Sequence, residues 1–377
     1  MAYFDNSATS YPKPEVFYAN IAEIFQTCGV NASRGKYKQS SEMKKIEERL
    51  RANLASDKFF NVCESHKIIF TASCTVALNQ ILQGLDYVNI KTVYISPFEH
   101  NAIYRTILYL QSLYNFDLEF IPFNKFEWEE GKTKLHFISK SPDLVILNHA
   151  SNVFGNILPV SEIFTLAKQY DAVTILDCAQ TAGVIDVDLQ NSNVDFAAFA
   201  GHKCLYGPSG IGGFAINSKK TLKPVLFGGT GINSEEVGMP NSLPERYEVG
   251  SMNSLGIIGL DLSLNWLLET GLKNIRTKKC ENFQKLIDIL KKHDEITPIY
   301  GDYNVGVVSC LFEDNDPQEM GMFLDHNDIS VRVGMHCAPL AHNHLNTVPS
   351  GTVRFSVGYF NTDEDFNALD EALYEIL

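Results

Sequence analysis

The chain of 377 residues is long enough for two or three domains around a large core, and 45% of its residues are hydrophobic. Its formal net charge of −14 and the lack of a basic run argue against a nucleic-acid or anionic-membrane partner. The sequence has no secretion signal, no apolar run long enough to span a membrane, and eight scattered cysteines without a CxxC pair, so we expect a cytoplasmic protein with free thiols.

The first half of the sequence alternates between helical segments and short apolar runs. This alternation predicts an α/β fold with a doubly wound, largely parallel sheet and helices on both faces. Such a sheet binds ligands at the carboxyl ends of its strands, and the polar segments 71–73, 99–100 and 148–152 follow predicted strands. The predicted elements are helix 42–55, strand 68–70, helix 76–85, strand 93–95, helix 102–113, strand 144–147, helix 160–169 and strand 173–176.

The segment 228–244, rich in Gly, Pro, Ser and Asn, predicts an irregular loop and a joint between domains. Shorter, mixed elements follow it and indicate a smaller α+β domain. They are the helices 255–269 and 276–292, the strands 306–312, 330–333 and 352–357, and a closing helix 363–377. We expect a large domain of residues 15–250 and a small domain of residues 251–377 that includes residues 1–14.

Lys203 and Asp177 form the most informative pair in the sequence. Asp177 follows the apolar run 173–176, and Lys203 ends the turn Gly201-His202-Lys203 after a further loop and strand pair. An aldehyde cofactor needs an amine that holds it as a Schiff base and an anion that keeps its pyridine nitrogen protonated. The pair therefore predicts a pyridoxal 5'-phosphate site, with Gln180 donating to the phenolate oxygen, rather than a turn with a surface lysine.

The turn 71–75, between a predicted strand and a predicted helix, offers backbone N–H groups and a helix N-terminus to a phosphate. Capping of the helix by Ser73 is the plainer interpretation, and the two are compatible. His100 follows another strand end. We expect its ring to stack on the cofactor, although a lone histidine is more often a hydrogen-bonded structural residue.

Cys337 lies in a dense segment with His336, His342 and His344. Zinc needs a further ligand at a familiar spacing, and none completes one nearby, so we predict no metal site. A cysteine in a loop bounded by Gly and Pro is typical of an exposed, reactive thiol, and an inert buried thiol is the alternative.

Two arginines occur in strand-like segments of the second half. The planar fork of Arg354 suits the α-carboxylate of an amino acid, and a structural ion pair is the alternative. Arg332 is a second candidate of the same kind.

Together these segments resemble the class V aminotransferase family of fold-type I pyridoxal phosphate enzymes, and within it the group II cysteine desulfurases and selenocysteine lyases. The resemblance implies a mainly parallel seven-stranded sheet in the large domain, a smaller α+β C-terminal domain and a homodimer with shared sites. The residues that carry it extend over nearly the whole chain: 5–9, Ser33-Arg34-Gly35, 71–75, Glu99-His100, Ser151-Asn152, 177–180, Gly201-His202-Lys203, 250–253 and 332–339.

The resemblance implies that Cys337 takes the sulfur of L-cysteine as a persulfide, leaving L-alanine, and that a sulfur-acceptor protein is a further partner. The catalytic residues it implies are Lys203, Cys337, His100 and Asp177. For the cofactor it implies Lys203, Asp177, Gln180, His100, Cys74, Thr75, His202, Asn152 and Ser251, the last reaching the phosphate of the partner subunit. For the substrate it implies Arg354 and Asn152, beside the candidate Arg332.

The sequence departs from the family pattern at two positions. Ala200 replaces a Ser or Thr that often gives the phosphate a hydroxyl, and Val76 replaces an acid. Both changes predict weaker cofactor binding. The resemblance leaves open a selenocysteine lyase, a cysteine sulfinate desulfinase, another class V aminotransferase or lyase, and a non-catalytic sulfur-relay scaffold.

Overall fold

The computed structural model describes residues 1–32, 35–232, 235 and 237–376. A seven-stranded sheet forms its centre, with the strand order β2-β10-β9-β8-β7-β3-β4. The first ten strands of the described part of the chain are β1 Ala2–Tyr3, β2 Ile68–Thr71, β3 Thr92–Ile95, β4 Asp117–Phe120, the small hairpin β5 Phe123–Asn124 and β6 Glu127–Trp128, then β7 Leu144–Asn148, β8 Val173–Asp177, β9 Phe196–Ala200 and β10 Gly212–Ile216.

The central sheet is mainly parallel, as the sequence predicts. Strands β4, β3, β7, β8 and β9 pair in parallel, while β10 runs antiparallel to both β9 and β2. Its inner strands are buried along their whole length, which explains the uninterrupted apolar runs in the sequence. Alternate residues of β7 enter different cores: Val145 and Leu147 pack on one face, and Leu144 and Ile146 on the other.

Helices cover both faces of the central sheet. Among the described residues, none of them is both long and apolar enough to cross a membrane. Predicted and observed helix bounds differ by a few residues, and Leu377 lies outside the described residues. The helices are α1 Glu15–Cys28, α2 Lys38–Ala55, α3 Cys74–Gly84, α4 Asn101–Tyr114, α5 Glu130–Ser139, α6 Val160–Lys168, α7 Ser254–Thr270, α8 Leu272–Leu290, α9 Pro317–His326, α10 Pro339–His344 and α11 Asp363–Ile376.

A four-stranded sheet of order β11-β12-β15-β14 lies in the last third of the chain. Its core contains buried side chains of α8 and α11, and Phe4 from the start of the chain. The sequence predicts one strand over 330–333, but two are present, because β13 pairs with β1 whereas β14 pairs with β15. The strands are β11 Ile296–Ile299, β12 Val307–Phe312, β13 Ile329–Ser330, β14 Arg332–Gly334 and β15 Thr352–Ser356.

Helix α7 packs against α1 and α2, and its buried residues share a core with the central sheet. The first residues of α8 also pack in the core of the central sheet, and its later residues pack in the core of the small sheet. The predicted domain division near residue 250 stays a prediction. Within the joint predicted over 228–244, Asn233, Ser234 and Glu236 lie outside the described residues.

Candidate active site

A cleft at the carboxyl end of the central sheet contains Lys203 and Asp177. Asp177 is the last residue of β8 and lies opposite Asn148, the last residue of β7. The Asp177 Oδ1 accepts hydrogen bonds from the backbone N–H of Ala179 at 2.8 Å and from the thiol of Cys74 at 3.5 Å. The predicted lysine and acid therefore lie in one cleft, at the edge where a parallel sheet binds ligands.

Burial disfavours the charged form of both groups. It raises the pKa of Asp177 above its ordinary value and lowers the pKa of Lys203, although the two attract each other. Lowering the pKa of Lys203 increases the fraction of neutral amine, which is the form that bonds to an aldehyde. The site thus holds a nucleophilic amine and a buried acid that lacks a cationic partner at ion-pair distance among the described residues.

The first turn of α3 offers the cleft groups that suit a phosphate. Ser73 caps α3, its Oγ accepting from Val76 N at 3.2 Å, and Cys74 and Thr75 of the first turn line the cleft. Nearby, the Nδ1 of His202 is buried and has no hydrogen-bond partner in the described structure. An orphaned ring nitrogen beside a helix N-terminus fits the phosphate of pyridoxal 5'-phosphate.

His100 lines the cleft at the start of α4. Its Nδ1 accepts a hydrogen bond from the backbone N–H of Ala102 at 3.0 Å, which places the ring proton on Nε2. Burial, and then the charge of Lys203, lowers the pKa of His100 to about 4. The ring is neutral at physiological pH, as a ring stacked on the cofactor requires.

Gln180 and Asn152 also line the cleft. One N–H of the Gln180 amide donates to the carbonyl oxygen of Ser7 at 3.0 Å, which leaves the other for a ligand. Asn152 donates from Nδ2 to the carbonyl oxygen of His336 at 2.7 Å. Its buried Oδ1 has no partner among the described residues and is a further acceptor at the cleft.

Arg354 lies on β15 with 1% of its side chain exposed. Its Nη2 pairs with Asp5 Oδ1 at 2.5 Å, and its Nη1 donates to the carbonyl oxygen of Asn152 at 2.9 Å. The Nε has no partner in the described structure. The structural ion pair that the sequence offers as an alternative is therefore present, and the Nε–H remains as a donor for a carboxylate.

Cys337 is exposed, on the loop between β14 and α10. The guanidinium Nη2 of Arg332 donates to its Sγ at 3.6 Å. Arg332, predicted as a substrate contact, thus lies against the thiol. The carbonyl oxygen of Cys337 accepts from Asn101 N at 2.8 Å, which joins this loop to the start of α4.

The three histidines of the Cys337 segment have separate partners. The Nε2 of His336 contacts Thr352 Oγ1, the Nδ1 of His342 contacts a threonine hydroxyl, and the Nε2 of His344 contacts a backbone carbonyl. Over the described ranges of the chain, no group of three or more His, Cys, Asp or Glu side chains is placed to hold a metal ion.

Ser251, predicted to contact the cofactor, does not line the cleft. Ser251 is exposed, and its Oγ accepts from Asn31 Nδ2 at 3.4 Å. It lines a neighbouring cavity rather than the cleft. Ser33 and Arg34, part of the family resemblance, lie outside the described residues. Ala200, the departure from the family pattern, does line the cleft.

Sequence reasoning gave no role to Lys13. Its Nζ donates to the carbonyl oxygen of His202 at 2.9 Å and to Ser10 Oγ at 2.8 Å, and burial lowers its pKa to about 8. The amine thus supports the peptide bond directly before Lys203. No local pattern signals this contact, because the two segments are 189 residues apart.

Comparison with known proteins places this site in context. The family model of class-V aminotransferases matches residues 2–369. The sequence is 31% identical to a probable cysteine desulfurase of Pyrococcus abyssi, over 100% of this chain and 94% of that protein, and 30% identical to one of Halalkalibacterium halodurans, over 99% and 92%. The apo structure of a cysteine desulfurase from Thermococcus onnurineus superposes with a TM-score of 0.91 at 28% identity, covering 99% of this chain and 94% of that one.

Proposed function

The chain belongs to the class-V aminotransferase family, and we propose that it is a pyridoxal 5'-phosphate-dependent cysteine desulfurase that converts L-cysteine to L-alanine and takes the sulfur as a persulfide on Cys337. The observation that carries this function is the exposed thiol of Cys337 on a loop hydrogen-bonded, through Asn152, to the cleft of Lys203 and Asp177. Relatives named cysteine desulfurase, matched over nearly their full length, support the same reaction.

The residues of the cleft fit the cofactor. When bound, pyridoxal 5'-phosphate supplies an electron sink for the bonds at the substrate α-carbon. Lys203 would hold it covalently, and Asp177 would pair with its pyridine nitrogen, which is the cation that this buried carboxyl lacks. The phosphate would contact His202 Nδ1, Thr75 and the backbone N–H of Cys74. The face of His100 would stack on the ring, and Gln180 would donate to the phenolate oxygen.

The substrate would bind between the cleft and the small sheet. Arg354 offers its Nε to the substrate carboxylate, and Asn152 offers its Oδ1 to the substrate amine. Lys203 Nζ would take the proton from the α-carbon of the substrate. Arg332 would hold the Cys337 side chain toward the substrate sulfur through its contact with Sγ.

Cys337 completes the reaction by attacking the substrate sulfur. An S–S bond forms while the bond between that sulfur and the β-carbon breaks. The electron pair of the broken bond stays with the substrate carbon, which is reduced to the methyl group of alanine after protonation, and the sulfur is oxidised to the persulfide level. No external oxidant is needed, and a thiol reductant or an acceptor protein removes the sulfur from Cys337.

We also propose a homodimer in a reducing, cytoplasmic compartment. Ser251 is exposed and lines a cavity beside the cleft rather than the cleft itself, which suits a residue that reaches a partner's phosphate. All eight cysteines are free, which fits a reducing environment.

Alanine formation from L-cysteine by the cofactor-loaded protein, with reductant present, tests the function. Cys337→Ala is expected to abolish alanine and sulfide formation while the protein still binds the cofactor. Cys280→Ala is the matched control, because Cys280 is also an exposed free thiol but lies on α8.

The outcomes separate the alternatives. Absence of alanine and sulfide from the wild-type protein would contradict the proposal. Full turnover by Cys337→Ala would instead favour a selenocysteine lyase, a cysteine sulfinate desulfinase or a transaminase. Assays with selenocysteine, cysteine sulfinate and a keto acid as substrates then distinguish these three activities.

A further inference from the structure

His336, the residue before Cys337, is almost fully buried, with 3% of its surface exposed. It follows β14 by two residues. Gly334 of β14 is paired with Thr352 of β15, and the side chain of Thr352 contacts the ring of His336. The histidine is therefore held on its inner side by the small sheet.

A chain of hydrogen bonds fixes the tautomer of His336. The carbonyl oxygen of Val153 can only accept, so Ser309 Oγ donates to it at 2.8 Å. Ser309 Oγ in turn accepts from Thr352 Oγ1 at 2.9 Å. Having donated its only proton, Thr352 must accept from His336 Nε2 at 3.0 Å. The ring proton is thus on Nε2, and Nδ1 is a buried acceptor without a partner in the described structure.

The backbone at this point needs such support. His336 and Cys337 have φ values of +47° and +58°, two consecutive non-glycine residues in the left-handed region. Such a conformation is unfavourable for residues with a side chain and persists only where surrounding contacts impose it. Hydrogen bonds from Asn152 Nδ2 to the carbonyl of His336 and from Asn101 N to that of Cys337 hold the outer side of the turn.

The same face of the small sheet also carries Arg354. Thr352 and Arg354 are two positions apart on β15, so their side chains lie on the same face of the sheet. Ser309 of β12 is paired with Arg354. The group that would bind the substrate carboxylate and the group that supports His336 therefore belong to one rigid surface. We propose that His336, held by Thr352 and Ser309, is a positioning residue that sets the distance between the Cys337 thiol and the substrate sulfur, an inference that rests on the proposed cysteine desulfurase function.

Three variants test this role in the cofactor-loaded protein. Thr352→Val keeps the shape but removes the hydroxyl, Thr352→Ser keeps the hydroxyl, and His336→Asn keeps a residue that tolerates positive φ but does not reach Thr352. A nucleophile misplaced by on the order of 1 Å loses about 10²-fold in rate. We expect kcat for alanine formation to fall by about that factor in Thr352→Val and His336→Asn, KM for L-cysteine to stay within about twofold, and Thr352→Ser to retain the wild-type kcat.

Two further readouts keep the test decisive. Since the two residues act as one unit, the double variant His336→Asn/Thr352→Val should be no slower than either single variant. In the cofactor-free protein, iodoacetamide should modify Cys337 at a changed rate in both single variants, with exposed Cys63 and Cys280 as internal references. If Thr352→Val does not fold, Ser309→Ala, which removes the next link, is expected to lower kcat in the same direction.

The proposal is wrong if kcat in Thr352→Val or His336→Asn equals that of wild type, if Thr352→Ser falls as far as Thr352→Val, or if the two losses multiply in the double variant. An inactive wild-type protein would contradict the proposed function instead. The alkylation rates would still report whether the hydrogen bonds of His336, Thr352 and Ser309 position Cys337.

Discussion

Glu99 is a carboxylic acid sealed inside the end of the central sheet. Its Oε1 accepts from Ser96 Oγ at 2.5 Å and from Asn148 N at 2.9 Å, while its buried Oε2 has no partner in the described structure. Burial raises the pKa of Glu99 to about 8, although these hydrogen bonds oppose the shift. The folded protein therefore retains a proton that the unfolded chain releases near pH 4.5.

This difference predicts a pH-dependent gain in stability for Glu99→Gln. Protonated Glu99 contributes at most about 5 kcal/mol to the free energy of unfolding. This contribution is complete below about pH 4.5 and is lost as pH rises through about 8. Urea unfolding at pH 6 and pH 9 should show the variant gaining stability over wild type at the higher pH. Exposed Glu23→Gln is the control. A constant difference between Glu99→Gln and wild type across this range would rule the argument out.

Arg354→Lys should separate substrate binding from cofactor binding. A lysine presents one ammonium group, which cannot pair with Asp5, Asn152 and a carboxylate in the geometry of the guanidinium fork. Loss of a charge-assisted hydrogen bond of about 1.5–3 kcal/mol raises KM for L-cysteine by about 10- to 100-fold. The absorbance of bound cofactor should not change.

The control for this variant is Arg105→Lys, on the exposed side of α4. It keeps a positive charge near His100 without contacting the substrate region. A KM in Arg354→Lys within about twofold of wild type would remove Arg354 from the substrate site.

At the scale of elements, β10 approaches α3 closely at Gly212. A Cβ on Gly212 would lie 2.8 Å from Cys74 N and 2.8 Å from the carbonyl oxygen of Phe199. Both are backbone atoms, so Gly212→Ala must displace the first turn of α3. This turn is the one that would hold the cofactor phosphate.

We expect Gly212→Ala to weaken pyridoxal 5'-phosphate binding by about tenfold or more, since the loss of one such hydrogen bond costs about 1–1.5 kcal/mol. Absorbance titration of the cofactor-free protein measures it. Gly131→Ala on α5 is the matched control, because its Cβ would meet no atom within 4 Å. Equal cofactor affinity in the two variants would disprove the close-approach argument.

The sequence predicts the central sheet well because its buried strands are continuous apolar runs bounded by helices. The strands β9 and β10 are rich in Ala and Gly, so the sequence pattern does not predict where they begin and end. The pattern also does not predict that β10 runs antiparallel to β9. The contacts Asp5 to Arg354 and Lys13 to His202 join segments 349 and 189 residues apart. No local signal marks them, because only the folded chain brings these segments together.

At the scale of the whole molecule, the first ten residues connect the small sheet to the cofactor cleft. Phe4 is fully buried in the core of the small sheet, where its ring packs against those of Phe355 and Phe366. Directly after it, the carbonyl of Ser7 accepts from Gln180, and the backbone N–H of Ser10 donates to the carbonyl of His202. Packing in the core of the small sheet thus fixes the segment that contacts Gln180 and His202, the residues proposed to bind the cofactor.

This connection predicts that Phe4→Ala weakens cofactor binding as well as folding. The cavity costs about 3–5 kcal/mol, measured by urea unfolding, and it also releases the segment that supports Gln180 and His202. Phe312→Ala makes a comparable cavity in the same core, but Phe312 lies on β12, away from that segment. We expect similar losses of stability in both variants and a rise in the cofactor dissociation constant only in Phe4→Ala. If the dissociation constants rise equally, the loss reflects general loosening of the small sheet, and the N-terminal segment is not the link between the two cores.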